Sequence, residues 1–479
     1  MIFLILIILI FSLLSPTYSQ SSGSFGFSDA KSISMAFTYV SNSRGVDAIG
    51  VNPANLALQG KKRFNIKSYL PVPELNFYFR TPISIDKYNY FFGGVDDGSG
   101  KLVGRYLNND EKEELKEMLG ETDLIFNLNI NHLSMSYYHS EKIGAFGFGI
   151  VDRLGMRFKP SKSFTDLVFS GLYPNQVYAF SDLIAKVSIW REVSFSYARK
   201  ITDIESNYLK NLLAGITFKF ISGYYYLSTE KNDSYFQNEA ENIIKGKFDY
   251  TILHALSPDF AKNYGKDSIV SIKDFRFSFS PTAAGSGFGF DIGFSGDIND
   301  YLKAAIAITD IGSIKWDNNQ ATIKNNSEFT FEGYSTKEEL DSLKNKFNKA
   351  TSDITTPFSS GLPTTLRLGI SFQVDKAPFI KSFPGSLLVA FDYNQGFNNE
   401  IGNSTIPRFS LGFEWDYLKL PFIRTGFSFG GIVGFTWSFG IGFNAGPLEF
   451  NFASSNFAAL LSPNSTRKLN FAMDSKWKF

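Results

Sequence analysis

The sequence ends with KLNFAMDSKWKF, residues 468–479, in which apolar and polar residues alternate almost without a break. The apolar residues share one parity: Leu469, Phe471, Met473, Trp477 and Phe479. Ser475 is the one interruption of that row. Because successive side chains of a β-strand project to opposite faces, the pattern predicts a strand with one apolar face and one polar face.

The same alternation recurs through the chain and is clearest in its second half. In each of these stretches an apolar row rich in phenylalanine faces away from glycine and small polar residues. They are residues 288–294, 302–308, 366–372, 387–393, 409–415, 423–429 and 435–443. Near Asn131 the apolar parity changes from even to odd positions, which predicts a β-bulge or a turn there.

These strands fit a membrane better than a soluble core. They are about ten residues long, the length of a tilted strand that crosses a bilayer. The 479 residues include 51 Phe, 23 Tyr and 40 Gly, while the mean hydropathy is only −0.08. In a membrane barrel, apolar lipid-facing residues alternate with polar lumen-facing ones, so the mean hydropathy of the whole chain stays near zero. We therefore predict an all-β fold, a transmembrane antiparallel β-barrel of about 14 strands; the alternative is a soluble β-sandwich.

The beginning of the chain has the pattern of a secretory signal peptide. Residues 1–14 are almost wholly apolar and are followed by SPTYSQ, so we predict a signal peptide over residues 1–19 with cleavage after Ser19. No Lys or Arg precedes the apolar run, and a membrane anchor is the alternative. The barrel would then occupy residues 61–479, with residues 20–60 in front of it.

Composition excludes several classes of function. The chain has no cysteine, which excludes disulfides and thiolate metal sites. We also predict that the protein binds no metal and no cofactor. A net charge of +1 gives no electrostatic reason to expect nucleic acid as a partner. The three histidines form no metal or catalytic motif, so the prediction is that the protein is not an enzyme. A lipid-modifying enzyme that uses His132 or His139 is the minor alternative.

Three polar insertions interrupt the strand pattern. Residues 108–120 and 337–350 are charged and predict short helices, and residues 230–266 form a third insertion. Barrels of this kind keep one set of connections short and the external set long. We therefore expect all three insertions in external loops, and we expect Tyr224, Tyr225 and Tyr226 to form an aromatic external loop that captures a ligand.

The stretch RGVDAIGVNPANLAL, residues 44–58, resembles the Asn-Pro-Ala signature of the plug segment in the long-chain fatty-acid transporter (FadL/TodX) superfamily. Five further blocks, residues 164–171, 196–201, 285–316, 362–372 and 407–431, are similar to a family of uncharacterised outer-membrane barrels found mainly in Bacteroidetes. The aromatic terminus, Phe479, is also typical of outer-membrane barrels. The resemblance implies an outer-membrane location and contact of Phe479 with the barrel-assembly machinery.

The resemblance further implies that residues 20–60 form a hatch inside the barrel. Its fold-back point would be the motif Asn52, Pro53, Ala54 and Asn55. From the strand parity we also expect several charges to face the lumen, where they would hold the hatch, line a passage or only stabilise the wall. They are Arg367, Asp392, Arg408, Glu414, Asp416 and Arg424.

The predicted function is passive passage of small, hydrophobic molecules across the outer membrane, with membrane lipid and a hydrophobic ligand as partners. The alternative is a non-transporting outer-membrane scaffold, or a component of a secretion, gliding or attachment apparatus.

Overall fold

The computed structural model describes residues 29–58, 60, 62–202, 210–240, 243–260, 280–332, 341, 352–418 and 420–479. The predicted signal peptide lies outside these residues, as does the predicted helix 337–350 apart from Asp341. Within the described part of the chain, no helix is both long enough and apolar enough to cross a membrane.

The described residues are mainly β-strands of one large sheet. In chain order the strands are β1 (Phe64–Ser68), β2 (Glu74–Arg80), β3 (Val95–Asp96), β4 (Leu102–Val103), β5 (Leu124–Ser140), β6 (Gly144–Lys159), β7 (Val177–Ala179), β8 (Ile184–Thr202), β9 (Asn211–Asn232), β10 (Tyr235–Ala240), β11 (Ile243–Leu256), β12 (Gly285–Asp297), β13 (Leu302–Trp316), β14 (Gln320–Glu332), β15 (Ser352–Ile354), β16 (Phe358–Gly361), β17 (Thr365–Gln373), β18 (Ser386–Gly396), β19 (Arg408–Asp416), β20 (Phe422–Gly430), β21 (Thr436–Ala445), β22 (Leu448–Ser454) and β23 (Lys468–Lys478).

Helices are short and lie outside the strands. The α-helices are α1 (Ala30–Ser34), α2 (Ile85–Phe92), α3 (Asn109–Glu121), α4 (Lys162–Ser170) and α5 (Ala458–Leu461). Turns of 3-10 helix cover Gly45–Ala48, Pro53–Ala57 and Val374–Lys376. Helix α3 lies where residues 108–120 predict a helix, and a capping box starts it: Asn108 and Glu111 each accept a hydrogen bond from the other's backbone N–H at 2.9 Å.

Fourteen antiparallel strands of the described chain close into a barrel, which confirms the predicted fold class. β1 and β2 together make the first barrel strand. The order around the barrel then follows the chain: β5, β6, β8, β9, β12, β13, β17, β18, β19, β20, β21, β22 and β23. β23 pairs with β1 and β2, and at this seam Phe64 and Phe479 exchange backbone hydrogen bonds of 2.8 and 3.1 Å.

The two faces of the barrel have the predicted chemistry. The outward row carries exposed aromatic and aliphatic side chains, such as Phe288, Phe294 and Phe471, which are 60%, 42% and 46% exposed. The inward row carries glycine, serine and buried charged residues. Connections are short at one end of the barrel, where β5 turns into β6, and long at the other, where α2, α3 and α4 lie. The long-loop end is external by the rule for such barrels.

Two expectations about the external region were wrong. The insertion 230–266 was expected as an external loop, but its described part contains the end of β9 and the strands β10 and β11. β11 pairs with the last part of β9 and along its length with β14, so that the sheet continues beyond the barrel wall. Tyr224, Tyr225 and Tyr226 lie within β9, and Tyr224 and Tyr226 are buried. They therefore do not form an exposed capture loop.

The first barrel strand is interrupted, which the sequence pattern did not predict. Residues 69–73 leave the ladder between β1 and β2, and Leu70 is 73% exposed on the outer face. The Ser475 hydroxyl donates to the Val72 carbonyl at 2.6 Å and accepts from the Val72 N–H at 3.0 Å. Ser475 therefore breaks the apolar row of β23 because a strand neighbour is missing there. The bulge predicted near Asn131 is present at the same place, between Asn131 and Leu133 of β5.

Candidate functional site

Residues 29–58, called here the N-terminal segment, lie inside the barrel. Almost every residue of the segment is buried, with Arg44 as an exposed exception. Helix α1 contacts β20 to β23, and the turn Pro53–Ala57 contacts β5, β6, β8, β9 and β12. Strands on opposite sides of the barrel therefore hold one chain segment between them.

The fold of the segment depends on short-range caps by Asp29 and by the asparagines of the predicted motif. The Asp29 carboxylate accepts from the Ser32 N–H at 2.7 Å and begins α1. The Asn52 side chain accepts from the Ala54 N–H at 3.1 Å and begins the turn Pro53–Ala57, where Pro53 fixes the first residue.

The two asparagines also fold the segment back on itself. The Asn52 and Asn55 amides both donate to the Val40 carbonyl, at 3.2 and 2.8 Å. Asn52 donates in addition to the Phe294 carbonyl of β12 at 3.2 Å. The motif therefore connects the last part of the segment to its middle and to the barrel wall.

Glycines of the inward row make room for the segment. A Cβ atom on Gly412 would lie 1.9 Å from the Thr38 hydroxyl oxygen, and one on Gly293 would lie 2.0 Å from the Asn52 side-chain oxygen. A Cβ on Gly215 would lie 2.4 Å from the Pro53 carbonyl carbon. Similar close approaches occur at Gly369, Gly426 and Gly440. Side chains larger than hydrogen at these positions would require the segment to move.

Two aspartates of the wall bind backbone N–H groups of the segment. One oxygen of Asp392 on β18 accepts from Tyr39 at 2.7 Å and from Val40 at 3.0 Å. Asp474 on β23 accepts from Ala30 at 2.9 Å. These two carboxylates therefore attach the segment at two points of the barrel wall.

Two lysines bind the carboxylates of the segment. Lys67 on β1 lies 3.2 Å from Asp29, 3.0 Å from Asp47 and 3.1 Å from Glu74 of β2. Lys476 on β23 lies 2.5 Å from Asp47. The seam strands of the barrel thus provide the cations, and the N-terminal segment provides two of the three anions around Lys67.

The predicted lumen-facing charges divide into two groups. Glu414 binds Lys31 of the segment at 3.0 Å and Arg424 at 2.6 Å. The Arg408 guanidinium lies 4.5 Å from the centre of the Phe37 ring. With Asp392, these residues contact the N-terminal segment directly or through one partner. The second group, Arg367 and Asp416, contacts the wall. Arg367 is buried and donates to the Thr309 hydroxyl of the neighbouring strand at 3.1 Å. Asp416 is the last residue of β19 and pairs with Ser386 of β18.

A second group of buried charges in the lumen was missed from the sequence. Lys219 on β9 lies 2.8 Å from Asp291 and 2.6 Å from Asp310, and Arg153 on β6 lies 3.1 Å from Asp310 and 3.0 Å from Glu192. These five residues, called here the charge belt, come from five adjacent strands. Arg153, Lys219 and Asp291 share the parity of the glycines in their strands, and Glu192 shares that of the serines of β8. Asp310 lies at a register shift between β12 and β13, and lumen-facing charges were predicted only from residue 367 onward.

An external connection also enters the barrel. In residues 397–407, Ile401 is 7% exposed, and a Cβ on Gly155 of β6 would lie 2.0 Å from its side chain. Asn403 donates to the Thr364 carbonyl at 2.9 Å. Burial raises the pKa of Glu400 in this loop, and the nearby Glu230 carboxylate raises it further, while Lys186 lowers it. The loop therefore narrows the lumen above the charge belt.

A polar cavity of about 390 Å³ lies beneath the segment, at the short-turn end of the barrel. The N-terminal segment lines one side with Lys31, Tyr39 and Arg44. Eight lysines and arginines and four carboxylates line the cavity as a whole, so its walls are net basic.

The histidines do not form a catalytic group with Ser140. His132 binds Tyr69 and Asp152, while His139 lies on the exposed outer face with its Nδ1 3.5 Å from the Tyr137 hydroxyl. Within the described residues no group of three or more histidine or carboxylate side chains is arranged to hold a metal ion.

A family profile described as "Family of unknown function (DUF5723)" matches residues 58–454. The chain belongs to this family. The DUF5723 match begins at the end of the N-terminal segment and includes all barrel strands except β23. No curated protein matches the chain in sequence.

Solved structures share the fold of this DUF5723 protein at low sequence identity. A deletion mutant of the monoaromatic hydrocarbon channel TodX has a TM-score of 0.50 and 11% identity, over 95% of this chain and 100% of that one. The toluene transporter TbuX of Ralstonia pickettii has a TM-score of 0.46 and 13% identity, over 95% and 98% of the two chains. The toluene transporter TodX of Pseudomonas putida has a TM-score of 0.44 and 12% identity, over 96% and 100%. The predicted relation to the FadL/TodX type of barrel is thereby confirmed as a shared fold.

Proposed function

We propose that this protein is an outer-membrane barrel through which small, hydrophobic molecules pass passively when the N-terminal segment shifts as a hatch. The observation that carries the proposal is how the segment is held. It fills the glycine-lined level of the lumen and packs apolar side chains against the wall, while its polar ties to the wall are hydrogen bonds and ion pairs, such as those of Asp392 and Lys67. Such ties can break and form again without breaking the barrel ladder.

Apolar side chains at the long-loop end support a hydrophobic ligand. Tyr88 and Phe92 of α2 are 57% and 49% exposed, Tyr106 is 89% exposed, and Leu460 and Leu461 of α5 are 64% and 71% exposed. We propose that these residues, rather than Tyr224 to Tyr226, first contact the ligand. The hydrocarbon and toluene transporters named above have the same kind of barrel, which agrees with this ligand class.

A reversible disulfide tests the hatch directly, because the chain has no cysteine of its own. A Cβ on Gly369 of β17 would lie 2.8 Å from the Val40 Cβ of the segment. Disulfides need a Cβ–Cβ distance of about 3.5–4.5 Å, so a small shift of the segment accommodates the double variant V40C/G369C. The single variants V40C and G369C are the controls.

The assay uses purified protein in vesicles whose outer leaflet is lipopolysaccharide, which hydrophobic solutes cross slowly. We expect uptake of radiolabelled toluene by the parent protein and by both single variants. We expect the oxidised double variant to take up toluene no faster than empty vesicles, and reduction to restore uptake. Equal uptake by the oxidised and reduced forms would contradict a moving hatch.

The number of ionic ties favours a second candidate, a non-transporting scaffold. Lys67 alone binds three carboxylates, two of them from the segment, which suits a permanent plug. A parent protein that takes up no toluene, but copurifies with large membrane partners, would support this candidate. In either case we propose membrane lipid as the surrounding medium and the barrel-assembly machinery as the partner that reads Phe479.

A further inference from the structure

Four polar side chains lie in the outward, lipid-facing rows of adjacent strands. They are Tyr69, which follows β1, His132 on β5, Asp152 on β6 and Arg191 on β8, called here the outer polar cluster. Asp152 has the parity of the outward residue Phe146, and Arg191 has that of Phe195, which are 46% and 50% exposed. Ionisable residues on a lipid-facing surface are costly and mark functional sites by default.

The cluster is one connected chain of contacts. The Tyr69 hydroxyl binds His132 Nδ1, and His132 Nε2 lies 2.8 Å from an Asp152 oxygen. The Arg191 Nε and Nη2 atoms donate to the two Asp152 oxygens at 2.6 and 2.7 Å. The residues therefore position one another, and the interrupted first strand brings Tyr69 to the others.

Sequence irregularities meet at this place. The break at residues 69–73 and the bulge between Asn131 and Leu133 of β5 occur on neighbouring strands. Two strands further, the pairing of β8 with β9 shifts between Ile189 and Trp190, next to Arg191. β-Bulges re-aim side chains and are common next to functional sites. The outer polar cluster is thus built where three strands depart from regular pairing.

An apolar groove of about 620 Å³ lies beside the cluster on the same strands. Its row of cross-strand partners is Met135, Phe148, Phe195 and Phe218. Phe148 precedes Asp152, and Phe195 follows Arg191, by four residues each, or about 13 Å along a strand. The groove therefore lies on the short-turn side of the cluster.

This arrangement has the polarity of a lipid in the external leaflet, with its head group toward the long-loop end and its chain toward the bilayer centre. Within the cluster Arg191 is the cation and Asp152 is the anion that orients it. A guanidinium group matches phosphate geometrically better than other head-group chemistry. The groove is lined by aromatic rings and faces the hydrocarbon part of the membrane. An acyl chain is therefore the group that fits it.

We propose that the outer polar cluster and this groove form a binding site for one phosphorylated membrane lipid, with the phosphate at the Arg191 guanidinium and an acyl chain along Phe148 and Phe195. The proposal is independent of whether molecules pass through the lumen. A site of this kind would fix one lipid against the interrupted first strand.

The test is native mass spectrometry of the detergent-solubilised full chain with two lipids that differ only in phosphate, dioleoyl phosphatidic acid and dioleoylglycerol. We expect the parent protein to retain one phosphatidic acid molecule, with about tenfold preference over dioleoylglycerol. R191Q should reduce that preference to about threefold or less. R199Q, which changes an exposed arginine near the other end of β8, is the matched control and should bind like the parent.

Equal retention of both lipids by the parent, or an unchanged preference in R191Q, would overturn the proposal. If R191Q fails to fold, the double variant F148A/F195A tests the groove and leaves the Asp152–Arg191 pair in place. That variant should retain about a third or less of the phosphatidic acid that the parent retains, and retention equal to the parent's would also overturn the proposal.

Discussion

Asp392 of the barrel wall holds Tyr39 of the N-terminal segment through a hydrogen bond of 2.7 Å from the Tyr39 N–H to one carboxylate oxygen, which also accepts from Val40. The carboxylate is fully buried, so water does not compete for these N–H groups. This contact joins two parts of the chain that are more than 350 residues apart. The position of the segment therefore depends on contacts with the folded barrel as well as on contacts within the segment.

Removing this carboxylate should loosen the segment. In D392A the N–H groups of Tyr39 and Val40 lose their acceptor in a buried place, which costs about 1–3 kcal/mol each. We expect faster hydrogen–deuterium exchange in peptides from residues 29–58, with little change in peptides from the barrel strands. D300N, which changes an exposed aspartate in the turn before β13, should exchange like the parent. Unchanged exchange in D392A would show that the remaining hydrogen bonds and ion pairs hold the segment without this carboxylate.

Enlarging a wall glycine should push the segment away from the wall. In G412A the new Cβ would lie 1.9 Å from the Thr38 hydroxyl and 2.5 Å from the Met35 carbonyl, distances that require a shift. Overpacking of this kind costs about 1–3 kcal/mol. We expect limited proteolysis within residues 29–58 of G412A but not of the parent. In the control G361A the nearest atom lies 3.5 Å from the new Cβ, so the segment should remain protected.

The barrel could be predicted from the sequence because parity is a local property. Phe471 and Ala472 differ in chemistry, and the strand geometry alone assigns them to opposite faces. The contacts of the segment depend instead on residues far apart in the chain, such as Asp392 with Tyr39. The interrupted first strand was not predicted, although Ser475 gave its signal in the partner strand. The strand β11 was missed because its pairing with β14 forms over about 75 residues of chain, and nothing local specifies it.

The charge belt should be sensitive to loss of its central cation. Lys219 has no exposed surface and binds both Asp291 and Asp310. In K219M these carboxylates remain buried with Arg153 as a remaining cation, and breaking a buried pair in this way costs about 3–5 kcal/mol. We expect a lower free energy of unfolding in urea, followed by tryptophan fluorescence. K315M changes a lysine that is 62% exposed and should unfold like the parent. A value for K219M within 1 kcal/mol of the parent would contradict a structural role of the belt.

The loop that enters the barrel should respond to pH through Glu400. Burial raises the folded-state pKa of Glu400 above its ordinary value of 4.5. A carboxyl group with a raised pKa destabilises the folded form once it ionises, so its cost is absent at low pH and appears as pH rises through the folded-state pKa. E400Q removes this cost, and we expect its unfolding temperature to exceed the parent's at pH 7 and to equal it at pH 4. The same difference at both pH values would show that the effect is not ionisation.

The two asparagines of the fold-back motif should act cooperatively, because they donate to the same carbonyl. In N52A the Val40 carbonyl still accepts from Asn55 at 2.8 Å, and in N55A it still accepts from Asn52 at 3.2 Å. Only the double variant N52A/N55A leaves this buried carbonyl without either donor, a condition that costs about 1–3 kcal/mol. We therefore expect the double variant to accelerate exchange of the amides in residues 29–58 more than the two single variants combined. Strict additivity would mean that each asparagine acts through its other bonds. For Asn52 these are the bonds to the Phe294 carbonyl and from the Ala54 N–H, and for Asn55 the bond to the Ser43 hydroxyl.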